Sequence, residues 1–210
     1  DDLQVFAQGE ENSYVDGISR LARKLGKSVI FGLPLEDSAA RGIYYNAAAV
    51  IDEHGEVFYY RKNYLPNFGL FEEGLYFSRG VPSQTVFLSG IKAGVEICYD
   101  AFFPEISASY ALQGADAVIC ISASPFTSMP LFEKILPARA IENTVFFLFN
   151  NIVGSELGLV FWGGSQVYTP KGRIVSKAPY FTEKLLDIEI DIDEVRTARR
   201  YRPTIRDQQR

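Results

Sequence analysis

Two cysteines, one histidine and a lysine set among aromatics carry most of the chemistry open to this chain. Cys98 lies in "GVEICYDAFFPE", residues 94–105, at the end of an apolar run and just ahead of a helix start at Pro104. A cysteine so placed has two readings. At an elbow between strand and helix, its sulfur is exposed and the N–H groups beyond it point at a developing oxyanion. Within a strand core, it is a small hydrophobe. Cys120, inside "AVICISA", takes the second reading. A Cys–His pair needs an imidazole, and the only one, His54, falls in the tip of a predicted hairpin turn, where it is solvated. A nucleophilic Cys98 therefore needs a carboxylate, a lysine, or both. Lys62, in "YYRKNYLPNFGLFEEGLYF", is followed by Tyr64, Phe68, Phe71 and Phe77. That setting predicts an apolar pocket in which its charge acts strongly on a bound carbonyl.

The elements that must position these residues alternate between strands and helices. "YVDGISRLARK" puts Val15, Ile18, Leu21 and Ala22 on one helical face, and Gly26 stops the helix. "SVIFGLPL" is a short apolar run suited to a strand buried on both faces. "YYNAAAVIDEHGEVFYYRK" reads as two strands around a turn at residues 52–55. "TVFLSGIKAGVEICYD" reads as a second hairpin turning at Ser89-Gly90. Then follow a helix from Pro104 to Gln113, a strand "DAVICISAS" and a helix from Leu131 to Asn143. Strands are expected at "VFFLFNNIV", "SQVYTP", "GRIVSKA" and "KLLDIEIDI", with turn chemistry at residues 170–172. "DEVRTARRY" starts helical and ends at Pro203. The pattern predicts one layered α/β domain over residues 1–210, with mixed sheets packed under outer helices.

With 210 residues and 47% apolar content the chain has ample material for a core. Its 21 Lys and Arg against 26 Asp and Glu, with no basic block, argue against a nucleic-acid surface. No apolar run approaches the roughly 20 residues that span a bilayer. Two cysteines make no disulfide framework and one histidine no zinc site, so a reducing, cytoplasmic setting without metal is the expectation.

Taken together, "YRKNYLPNFGLFEEGLYFSRG", "GVEICYDAFFPE" and "PARAIEN" resemble the nitrilase, or carbon-nitrogen hydrolase, superfamily, and the resemblance runs on to "GGSQVYTPKGRIV". More narrowly, "LPNFGLFEEGLYF", "SASPF" and "NNIVGSELGLVFWGGS" resemble the glutaminase domain of glutamine-dependent NAD synthetases. The resemblance implies a four-layer α-β-β-α sandwich and a Glu-Lys-Cys triad that hydrolyses an amide through a thioester, with no cofactor. Cys98 matches the nucleophile and Lys62 the triad lysine. Glu73 matches a second glutamate beside the triad, and the Tyr99 N–H helps form the oxyanion hole. Phe68, Phe71, Ser124 and Phe126 are the expected pocket residues. A homodimer or larger homo-oligomer is implied, with residues 195–210, a basic tail, at a subunit contact. A separate NAD synthetase is the partner under the glutaminase alternative. A binding protein on the same scaffold is a third reading.

Two departures qualify the match. The family's triad glutamate sits in a Pro-Glu motif after a first strand, and neither precedes the helix near Tyr14. Glu10 and Glu11 read as a polar lead-in, so strand and glutamate are expected ahead of Asp1. After "SASPF", where glutaminases carry Gly-Lys and an arginine for an amino-acid carboxylate, this chain has "TSMPLFEK". Met129, Pro130, Leu131 and Phe132 disfavour free glutamine unless Lys134 or Arg139 takes the carboxylate. Otherwise Arg139, Glu142 and Asn143 form an internal network on their helix.

Overall fold

Asn12 starts the first long helix by accepting the Val15 N–H at 2.8 Å, and Gly26, at φ 59°, ends it. The structure, a computed structural model, describes residues 3, 6–10 and 12–208. Its contacts divide the chain into two units, Asp1–Ser83 with Phe87–Gly90 and Gln84–Val86 with Ile91–Arg210.

The first unit holds that helix, α1 (Ser13–Leu25), and an antiparallel sheet β1-β2-β3 made of Val29–Glu36, Tyr44–Ile51 and Val57–Arg61. Strands β1 and β2 pair from Val29↔Ile51 to Glu36↔Tyr44 without a break. The turn into β3 is built as expected. The Asp52 carboxylate accepts the His54 and Glu56 N–H groups, and His54 stands exposed. Val15, Ala22 and Ile51 form the core, with Ile18, Val29, Phe31, Leu33 and Val57 against it. Leu21, expected on that face, is 52% exposed. Strand β1 is not buried on both faces either: among the described residues it is a half-buried edge strand, paired beyond β2 only by a bridge to Gln8. After β3 the chain makes one short helical turn, α2 (Glu73–Tyr76).

Short strand β4 (Val86–Leu88) leads through Ser89 and Gly90, both at positive φ as a tight hairpin requires, into β5 (Ile91–Ile97). The second unit is organised on parallel strands β5, β6 (Ala117–Ser122) and β7 (Phe146–Asn151). Between them run a 3-10 turn (Cys98–Phe102) with helix α3 (Pro104–Leu112), and then helix α4 (Met129–Asn143). A β8 (Val153–Glu156) and β9 (Leu159–Trp162) hairpin follows, where the sequence predicts no strand beyond Val153. Strands β10 (Gln166–Tyr168) and β11 (Ile174–Lys177) then extend the sheet antiparallel beside β7.

Residues 184–192, expected to be a strand, make no ladder; their alternation instead seats Ile188 and Ile190 on a core of Ala117, Phe146, Val167 and Val195. Helix α5 (Asp193–Tyr201) stops ahead of Pro203, but helix resumes as α6 (Thr204–Gln208). No helix among the described residues is long and apolar enough to cross a membrane.

Candidate active site

In the second unit the chain leaves β5 at Ile97 and turns abruptly. Cys98 has φ 49°, a left-handed conformation that costs a residue with a side chain about 1–2 kcal/mol. The 3-10 turn begins there, and α3 starts at Pro104, where a missing N–H is harmless. This is the elbow reading of Cys98, with the residue half-buried at the carboxyl end of a parallel strand. Ligands of parallel sheets collect at such ends. Tyr99 follows, half-buried, its ring 5.6 Å from Phe102 and 5.1 Å from Phe103.

Two groups fix the turn from below. The Asp100 carboxylate, fully buried, accepts the Ile97 N–H at 3.1 Å. Arg139 of α4 donates through Nε to the Ala101 carbonyl at 2.8 Å and through a terminal nitrogen to the Phe102 carbonyl at 3.2 Å. Its other terminal nitrogen donates to Glu142 at 2.6 Å. Asn143 bonds back to the Arg139 carbonyl at 3.0 Å. The network expected inside α4 therefore exists, but it reaches outward and staples the Cys98 turn to the helix. With its donors so engaged, Arg139 does not serve as a carboxylate receptor, and Lys134 is exposed on the same helix.

A glutamate inside an apolar strand was visible in "GVEIC", and the sequence reading passed over it. Glu96 is fully buried; one carboxylate oxygen accepts the Ser107 hydroxyl at 2.9 Å, and the other has no partner among the described residues. Burial, and then the neighbouring Asp100 carboxylate, push its pKa up to about 8, against weaker opposing pulls from Ser107 and Arg139. Cys120 faces Glu96 in register on β6. Fully buried, its thiol is held well above its ordinary range by desolvation and the surrounding negative groups, which makes it inert. Gly94 lets α3 approach β5. A Cβ there would lie 2.2 Å from the Tyr110 ring, whose hydroxyl donates to the Val95 carbonyl at 2.6 Å.

Beyond β6, Ser124 is fully buried, and its backbone N–H and carbonyl are both bonded to the Asn151 side chain. Phe126 and Leu131 are 48% and 53% exposed, and Met129 is half-buried.

The first unit carries the lysine. Lys62 directly follows β3 with only 1% exposure, and its Nζ donates to both carboxylate oxygens of Glu73 at 2.8 Å. Asn46 on β2 braces the pair: its carbonyl accepts the Lys62 N–H at 2.8 Å and its side-chain amide donates to Glu73 at 3.3 Å. The surroundings of Lys62 are thus a bidentate ion pair, not the wholly apolar pocket expected from the aromatics. Phe68 is 54% exposed and packs edge-on against half-buried Phe71, with ring centroids 6.0 Å apart. Glu10 pairs with Arg61 at 2.7 Å, and Glu11 lies outside the described residues.

A family model for carbon-nitrogen hydrolases matches residues 2–200. A glutamine-dependent NAD(+) synthetase of Thermotoga maritima is 35% identical over 88% of this chain, which spans only 32% of that protein. A nitrilase of Pyrococcus abyssi is 34% identical over 93% of this chain and 70% of its own length. Among solved structures, a carbon-nitrogen hydrolase from Helicobacter pylori G27 matches with a TM-score of 0.86 at 30% identity, over 92% of this chain and 72% of its own. That likeness bears out the expected α/β class with mixed sheets.

Proposed function

The chain belongs to the carbon-nitrogen hydrolase family, and from that footing we propose that it hydrolyses non-peptide amides with Cys98 as nucleophile. The observation that supports this most is the Cys98 backbone, held at φ 49° at the carboxyl end of a parallel strand by Asp100 and Arg139. Strain retained by surrounding bonds is characteristic of functional positions.

In the reaction, the Cys98 thiolate attacks the amide carbon and a C–S bond forms. The carbonyl oxygen takes up the negative charge, met by the Tyr99 N–H; a part for the Lys62 ammonium is what the resemblance implies. The C–N bond then breaks, and the nitrogen leaves as ammonia or an amine after taking a proton. Water attacks the thioester, the acid departs and Cys98 is restored. Glu73, which holds Lys62 by two 2.8 Å bonds, keeps that ammonium oriented. The resemblance assigns the proton transfers to a triad glutamate.

Arg139 is engaged by the turn and the segment after "SASPF" is apolar, which favours an amide without an amino-acid carboxylate. The likeness to a glutamine-dependent NAD(+) synthetase favours a second reading, a glutaminase delivering ammonia to a synthetase partner. Ammonia release from glutamine and from simple apolar amides, with wild type and Cys98→Ala, decides between them. Turnover of apolar amides over glutamine, abolished in Cys98→Ala, is expected. Preference for glutamine selects the second reading, and unchanged turnover in the variant removes Cys98 as nucleophile.

A further inference from the structure

Glu96 takes no part in the proposed bond changes, yet it stands two residues before Cys98, fully buried, with one carboxylate oxygen unpartnered among the described residues. A buried carboxylate ion with an unsatisfied oxygen is costly, whereas the neutral acid is tolerated there. The groups around it are Asp100 and Cys98 of the turn, Cys120 of β6, Ser107 and Tyr110 of α3, and Arg139 of α4 with its partner Glu142. Only one of these, Arg139, is cationic, and its bonds go to the turn carbonyls and Glu142. Asp100 is the carboxylate the turn uses, because it anchors the Ile97 N–H immediately before Cys98. A second anion beside it repels Asp100, loosens that anchor and disfavours a thiolate at Cys98.

We infer that Glu96 is a positioning residue for Cys98: as an uncharged acid it lets Asp100 hold the turn, and its ionisation suppresses Cys98 reactivity. The inference rests on the reading of Cys98 as the reacting residue. It also draws on the position of the Glu96 carboxyl, pushed by burial and Asp100 to about 8, which puts the change just above neutral pH.

The test is the rate of Cys98 alkylation by iodoacetamide from pH 6 to pH 9.5, read on the Cys98 peptide by mass spectrometry so that buried Cys120 is counted separately. Wild type and Glu96→Gln are expected to react alike below pH 7, with wild type about tenfold slower than the variant by pH 9. Ser107→Ala, with Glu96 intact, removes the donor that favours the ionised form and is expected to move the break to higher pH. Superimposable profiles for wild type and Glu96→Gln overturn the inference. So does a folded Glu96→Gln protein that is unreactive at every pH, or a break that Ser107→Ala leaves in place. If Glu96→Gln does not fold, the Ser107→Ala shift decides alone. Ammonia release measured on the same samples keeps the two proposals apart: a labelling break without amide turnover sustains the role of Glu96 and removes the amidase reading.

Discussion

Replacing Cys98 by glycine and by alanine distinguishes an elbow from an ordinary strand residue. Both changes remove the thiol, so both are expected to abolish ammonia release, but they act oppositely on stability. At φ 49° a residue with a Cβ carries a penalty of about 1–2 kcal/mol that alanine retains and glycine escapes. Glycine loses about 0.5–1 kcal/mol more backbone entropy on folding than alanine. Cys98→Gly is therefore expected to be more stable than Cys98→Ala, by about 0.75 kcal/mol at the middle of a range of about 0–1.5 kcal/mol. Urea unfolding followed by Trp162 fluorescence measures this in the unit that matters. Trp162 is the sole tryptophan, is fully buried, and stacks at 5.5 Å on Phe149. Equal m-values for the two variants make the comparison one of stability alone. In a strand core the order reverses, since glycine there gains nothing and leaves its neighbours unpacked. A glycine variant less stable than the alanine variant would refute the elbow reading and, with it, the main support for Cys98 as nucleophile.

Two other perturbations probe the support of the turn. Arg139→Ala strips the donors from the Ala101 and Phe102 carbonyls, and is expected to cost about 2–4 kcal/mol in urea unfolding and to lower kcat for amide hydrolysis. Arg139→Lys, which cannot reach both carbonyls with a planar fork, is expected to recover stability better than kcat. For Glu96 the sign follows from linkage: its folded pKa, about 8, lies above its ordinary 4.5, so the native state keeps a proton that the unfolded chain releases. Wild-type stability is accordingly expected to fall relative to Glu96→Gln by about 1.4 kcal/mol per pH unit between pH 5 and 7, and parallel curves would contradict it.

Much of this was legible in local pattern. The strand before Cys98, the proline after it and the alternation of β5, α3, β6, α4 and β7 are short-range signals, and each element formed where its sequence placed it. The Lys62–Glu73 pairing came from a motif, since a separation of eleven residues has no period that would bring the two side chains together. What local pattern missed were properties of a completed core. The alternation of residues 184–192 correctly marked one buried face for Ile188 and Ile190, but periodicity cannot say whether a strand finds a ladder partner. Glu96 breaks an apolar run, which signals either an exposed edge or a buried acid; the neighbours on β6 and α3 decide, and they are distant in sequence. Arg139 was placed on the right helix with the right companion Asn143, yet its partners lie 37 and 38 residues away.

The strain at Cys98 and the bonds around it belong together. A left-handed cysteine worth about 1–2 kcal/mol of strain relaxes unless its flanks are fixed. Here the flanks are fixed on both sides: Asp100 ties the residue before Cys98, and Arg139 ties the carbonyls three and four residues after it. A hydrogen bond to a charged group contributes roughly 1.5–3 kcal/mol, so these contacts together outweigh the strain. Cys120 supplies the internal contrast. It lies one strand away with no positive φ and no exposure, and its thiol is held protonated by burial. The same fold thus carries one cysteine secured in an unfavourable conformation and one left at rest in the core. Strand packing alone accounts for the second and cannot account for the first.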